Sequence, residues 1–128
     1  LARLFEIRNA PESTQMAGIQ PQAWARFIAV WARADVVSRV IRDGDAIVGS
    51  ISVFESEGVW ELGYIVDQAH WGRGIATAAV GLMLGCVAQR PLYAVVSAAN
   101  VASRRVLEKV GMVVDRQRSD GVWVYVAR

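Results

Sequence analysis

The stretch Asp67-Gln68-Ala69-His70-Trp71-Gly72-Arg73-Gly74-Ile75-Ala76 carries the densest chemical pattern in this chain. An apolar strand candidate, Val59 to Val66, runs through it into a long amphipathic helix. Gly72 and Gly74 would let the backbone approach a bulky anion. The helix starting near Gly74 would present its unpaired N–H groups to that anion, and Arg73 would add a positive charge. A pyrophosphate suits such a junction, with no metal required. A Gly-x-Gly pair also serves ordinary tight turns. The surroundings favour the anion, because a second polar helix start follows, from Asn100-Val101-Ala102-Ser103 to Glu108-Lys109-Val110-Gly111-Met112.

Other reactive side chains are few. His70 is the one histidine and Cys86 the one cysteine. A multi-histidine zinc site is therefore excluded, and no carboxylate cluster has metal-ligand spacing. A Ser/His/Asp or Cys/His arrangement has only this one imidazole to draw on, which disfavours an acyl-enzyme. No role falls to His70. Cys86 lies on the apolar stripe Ile75, Ala78, Ala79, Leu82, Met83 and reads as core. Glu61 is the candidate general base: on alternating strand positions it shares a face with Gly63 and Ile65, away from bulk solvent. Water could carry the proton instead.

With its two motifs the chain resembles the GNAT superfamily of acyl-CoA-dependent N-acyltransferases, over about Val36 to Arg128. Trp71-Gly72-Arg73-Gly74-Ile75-Ala76 lies on that family's (Gln/Arg)-x-x-Gly-x-(Gly/Ala) pyrophosphate loop, and Asn100 and Ser103 open its second coenzyme-flanking helix. The tryptophan in place of Gln/Arg, Glu61-Leu62-Gly63-Tyr64 and Asn-x-x-Ser look most like the branch that includes ribosomal-protein N-acetyltransferases.

The resemblance implies acetyl-CoA as cosubstrate, with Ile65 and Val66 offering main-chain groups to its pantetheine arm. It also implies that the strand ending at Val66 splays from the one containing Tyr93. A main-chain N–H near Val66 would serve the oxyanion. The family's usual acid, a tyrosine in the second coenzyme helix, aligns with Leu107 and cannot be carried over. Ser103 is the nearest hydroxyl, either for the departing thiolate or as a helix-start residue, and Asn100 would contact the coenzyme through its amide.

The implied function is N-acetyl transfer to a primary amine, such as a protein N-terminus, an amino acid or a small molecule, by direct attack in a ternary complex. A non-catalytic acyl-CoA-binding module that docks a partner protein is the alternative. A general nucleotide-phosphate binder would be expected to end its loop in Gly-Lys-Ser/Thr, which this chain lacks.

Composition fits these readings. With 128 residues, a hydrophobic fraction of 54% and five tryptophans, residues 1–128 make one domain with a core that needs no disulfide. The net charge of +2 comes from arginines spread along the chain, a poor footprint for nucleic acid. No apolar run reaches the roughly 18 residues of a membrane span and no leader pattern is seen, so the cytoplasm is the expected compartment.

The elements that must position these residues are legible in the periodicity. Leu1, Leu4 and Phe5 have helical spacing up to a stop at Asn9-Ala10-Pro11, and Trp24, Phe27, Ile28 and Trp31 form a second helical stripe. In the resembled family these two helices form one wall of the acceptor groove. Val36–Ile41, Ala46–Phe54 and Val59–Val66 read as an antiparallel meander, followed by a helix from Ile75 to near Arg90-Pro91. Leu92–Ser97 is a buried strand, Ala102–Val110 a helix capped by Gly111, and Val113–Gln117 and Val122–Ala127 a last hairpin.

The fold class is α/β: one twisted, mostly antiparallel mixed sheet flanked by helices. The resembled fold opens with a strand before its first helix, whereas Leu1 already reads as inside that helix, so either the chain is a fragment or processed, or its sheet lacks that edge strand. An edge left bare in this way would invite a second chain, most simply as a homodimer.

Overall fold

The computed structural model describes residues 2–11 and 36–128. Helix α1 (Ala2–Asn9) is followed by strands β1 (Val37–Asp43), β2 (Ala46–Ser56) and β3 (Val59–Val66). A 3-10 turn at Gln68–His70 leads to α2 (Ile75–Cys86), β4 (Leu92–Ser97), α3 (Val101–Lys109), β5 (Val113–Gln117) and β6 (Val122–Ala127). The stripe of Trp24, Phe27, Ile28 and Trp31 lies outside the described residues. Among those residues α1 precedes the first strand, and β1 forms one edge of the sheet.

The six strands lie in the order β1-β2-β3-β4-β6-β5, a mixed sheet as the periodicity led us to expect. β1, β2 and β3 form the antiparallel meander. Glu57 and Gly58, at φ 51 and 82, make the two-residue turn between β2 and β3, whose left-handed pair matches the twist of the flanking strands. β3 and β4 are parallel, and they pair only at Trp60–Leu92 and Glu61–Tyr93. Beyond that rung each continues without the other, so the sheet opens between Val66 and Ser97.

One cluster forms the main core. Val48, Val53, Leu92 and Tyr125 from the sheet meet Val80 and Met83 of α2 and Leu107 of α3. Each such fully buried aliphatic side chain contributes roughly 1.5–3 kcal/mol. Leu4 and Ile7 are buried in α1, which packs on β2 and β3.

Helix α2 corrects two expectations. Its buried face runs through Val80 and Met83, with Ala76, Ala79, Leu84 and Val87 packed against the core, while Leu82 is 72% exposed. Cys86 is exposed too, not core. The helix is apolar on nearly every side, so its sequence fixes no direction and the sheet decides which residues turn inward. It also ends at Cys86, five residues before Pro91. Val87 takes an extended conformation, and the Arg90 guanidinium donates to the carbonyls of Leu84, Val87 and Gln89, satisfying acceptors that a helix end leaves open.

Candidate active site

Where β3 and β4 part, the end of β3, the 3-10 turn, the first turn of α2 and one face of α3 enclose a cavity of about 350 Å³. Its lining includes Ile65, Val66, Trp71, Gly72, Gly74, Ile75, Ala76, Asn100 and Ser103, nearly the whole expected coenzyme set. Residues far apart in sequence thus meet at one site, because the loop after β3 and the start of α3 both lie beside the opening in the sheet.

The glycine loop has the geometry an anion needs. Gly72 and Gly74 sit at φ 78 and 76, in the left-handed region, and a Cβ at either would meet no atom within 4 Å. The space beside them is open. Gly74 is the N-cap of α2 and offers no side chain, so the first-turn N–H groups after it receive no side-chain cap. Helix α3 differs: Asn100 Oδ1 accepts the Ser103 N–H at 3.1 Å and caps it from within. Of the two helix starts at this cavity, α2 is the one without a side-chain cap.

Two contacts set the end of β3. The Trp71 indole donates to the Val66 carbonyl at 2.7 Å, pinning the loop to the strand. A Cβ on Gly49 of β2 would collide with the Ile65 carbonyl oxygen, so that carbonyl leans over β2 where only glycine leaves room. A planar trans peptide then directs the Val66 N–H the opposite way, toward the gap between β3 and β4.

The charges are distributed differently from the sequence reading. Arg73 does not line the cavity; it pairs with Asp43, the last residue of β1, at 3.5 Å, and both side chains are exposed. Among the described residues, the arginine and lysine side chains that line the cavity are Arg105 and Lys109 of α3, and no carboxylate lines it. Spacing could have flagged them, since Ala102, Arg105, Val106 and Lys109 fall on one helical face. Arg104 faces away: its guanidinium lies 3.7 Å from the Trp123 ring centroid and donates to the Ala98 carbonyl at 3.1 Å.

Glu61 stands on the last paired rung of β3 and β4, half-buried and outside the cavity lining. Tyr64 was not singled out by sequence. Its hydroxyl lies 2.6 Å from Ser103 Oγ, joining β3 to α3 at the cavity wall. Burial raises its pKa above the ordinary phenol value, partly offset by the Ser103 hydrogen bond. His70 also lines the cavity. Among the described residues no group of three or more His, Cys, Asp or Glu could hold a metal ion, and no helix is long and apolar enough to cross a membrane.

Comparison with known proteins follows the same outline. A family model described as an acetyltransferase (GNAT) domain matches residues 1–113. A domain from Methanocaldococcus jannaschii superposes with a TM-score of 0.80 at 23% identity, covering 99% of this chain and 90% of that one. A GNAT-family acetyltransferase from Bacillus anthracis gives 0.80 at 16% identity, covering 98% and 87%. The aminoglycoside acetyltransferase AAC(6')-Ib, solved in complex with coenzyme A, gives 0.75 at 19% identity, covering 98% and 86%. Among curated proteins, none matches significantly.

Proposed function

The chain belongs to the GNAT acetyltransferase family, and we propose that it moves an acetyl group from acetyl-CoA to a primary amine by direct attack in a ternary complex. The observation that carries this is the start of α2 without a side-chain cap, opening into a cavity lined by no carboxylate among the described residues, beside the gap where β3 and β4 part. That combination suits a long anionic ligand whose polar arm must find main-chain partners. The open space beside Gly72 and Gly74 fits the diphosphate. The first-turn N–H groups of Ile75 and Ala76 would hold it, with Arg105 and Lys109 supplying the charge expected of Arg73. Ile65 and Val66 would hold the pantetheine arm, and Trp71 braces the loop between these parts.

Acetyl-CoA supplies the activated thioester. The Val66 N–H, aimed into the gap, stabilises the carbonyl oxygen as negative charge builds on it. Glu61, directly or through a water, takes the proton from the attacking amine. As the C–N bond forms and the C–S bond breaks, the Ser103 hydroxyl protonates the departing sulfur. Tyr64, 2.6 Å away, passes a proton to Ser103 as it takes one up from solvent, so the proton given to the sulfur is balanced by the one Glu61 later releases to solvent and no phenolate remains in the buried site.

We read residues 1–128 as one domain working in the cytoplasm, with a protein N-terminus, an amino acid or a small-molecule amine as acceptor. Thiol release from acetyl-CoA across a panel of these amines tests the proposal. Amine-dependent release that falls in Glu61→Gln supports it. Tight acetyl-CoA binding with no release on any amine supports a non-catalytic binding module instead.

A further inference from the structure

The two faces of the opened sheet differ. One carries Leu62, Val66, Leu92 and Ala94 into the core beneath α2 and α3. Glu61, Gly63 and Ile65 alternate onto the other. Cross-strand pairing sets their neighbours there. Glu61 is paired with Phe54 of β2 on one side and with Tyr93 of β4 on the other, and directly paired residues share a face. All three side chains are half-buried.

Toward the opening, Gly63 leaves the floor of this face without a side chain. The Phe54 ring leans toward that space, its Cε1 3.6 Å from where a Gly63 Cβ would lie. Val95 follows Tyr93 on the same face of β4 and is 46% exposed. Ile65 lines the coenzyme cavity, so the gap joins this face to the space assigned to the thioester. Glu61 therefore stands in a shallow, mainly apolar trough. Among the described residues, β2, β3, β4 and β6 place no other charged side chain on this face. One carboxylate matches one ammonium. A second cation beside it would lose water without gaining a partner, whereas an apolar group next to the amine would cover Gly63, Phe54 and Val95.

We propose that Phe54, Gly63 and Tyr93 form the acceptor subsite, and that the acceptor is a primary amine with an apolar or aromatic group a few bonds away and no second cation beside it. The amine meets Glu61 on the face opposite α2 and α3. No covalent step is added to those above. The inference rests on reading Glu61 as the group that receives the amine's proton.

Initial rates of thiol release at saturating acetyl-CoA test it. Phenethylamine and a short peptide with an N-terminal phenylalanine carry the proposed chemistry in small and chain form. Ethylamine lacks the ring, and ethylenediamine replaces it with a second cation. In the wild type, kcat/KM for the better ring-bearing amine should exceed that for ethylamine by at least about tenfold, and the diamine should rank last. Whichever ring-bearing acceptor is faster assigns the source to a small molecule or to a chain N-terminus. Phe54→Ala should remove most of the preference, chiefly through KM, with acetyl-CoA affinity unchanged. Gly63→Val fills the floor while its Cβ meets Phe54 only at ordinary contact distance, and it should raise KM for the ring-bearing amines more than for ethylamine. A merely structural effect would lower the rates of all amines alike.

Equal kcat/KM for the ring-bearing amines and ethylamine, or a preference for the diamine, would overturn the subsite and leave acetyl transfer standing. If Phe54→Ala fails to fold, a preference undiminished in Gly63→Val overturns it in the same way. Acetyl-CoA binding with no release on any of these amines would overturn the transferase reading itself, and this inference with it.

Discussion

At the scale of the residue, Gly74 is the sharpest test of the phosphate loop. Its φ of 76 and the open space at its Cβ position mean that a valine there meets no protein atom but projects where the ligand must lie. Gly74→Val should cost roughly 1–2 kcal/mol of stability, from forcing an L side chain into the left-handed region. It should weaken acetyl-CoA binding by more than about tenfold, or 1.4 kcal/mol. Thermal melts and titration of the same preparation separate the two effects. For Glu61→Gln, kcat should fall by about 10²–10⁴ with acetyl-CoA affinity nearly unchanged, the signature of a proton acceptor acting in the transition state. Initial rates with a thiol reagent, set beside a binding isotherm, check this. The glycines were legible because their backbone need is local. Arg73 lies outside the cavity lining, while Tyr64, Arg105 and Lys109, which sequence did not single out, line it, because the facing of a long side chain depends on where neighbouring elements end. Arg73 finds Asp43 only where the end of β1 comes beside the glycine loop, and Ser103 reaches Tyr64 only once α3 is docked.

At the scale of the element, the strands could be read and the direction of α2 could not. Val113–Gln117 and Val122–Ala127 pair with a register shift between Val114 and Arg116 that the sequence did not signal, but they form at the residues their β-prone runs and the intervening Ser119-Asp120-Gly121 turn marked. An all-apolar helix gives no such signal, and burial of α2 follows the sheet beneath it. Two substitutions probe the element scale. Gly49→Ala would drive a methyl into the Ile65 carbonyl, prying β2 from β3 beside the Val66 amide. A loss of about 1–3 kcal/mol in denaturant unfolding is expected, as for overpacked sites, together with weaker coenzyme binding. Asn100→Ala removes the cap of α3 and should cost about 1 kcal/mol. The effect on coenzyme affinity should be smaller than that of Gly74→Val, since Asn100 is occupied by its own helix.

At the scale of the whole molecule, the site exists because one sheet is both continuous and opened: β3 and β4 share two rungs and then part. The resemblance to a known superfamily implied that opening; the periodicity of either strand alone did not, since splaying is a relation between strands. The face of α3 turned away from the cavity is anchored to the sheet through Tyr125, which is fully buried and donates to Glu108 at 2.6 Å. Burial first, then that bond, raise its pKa, with Arg104 opposing. A phenol raised in the folded state contributes stability that is complete below its unfolded value and is lost as pH climbs through its folded value. The wild type should therefore lose thermal stability above about pH 10, and Tyr125→Phe should lose less over the same range in melts recorded from neutral to alkaline pH. The central claim, that the cavity at the opened sheet is an acyl-CoA site, is tested most directly by calorimetric titration of the chain with acetyl-CoA, with ADP as control. The account predicts saturable binding at one site and clear preference over ADP. Absence of binding by folded protein, or equal affinity for ADP, would contradict it.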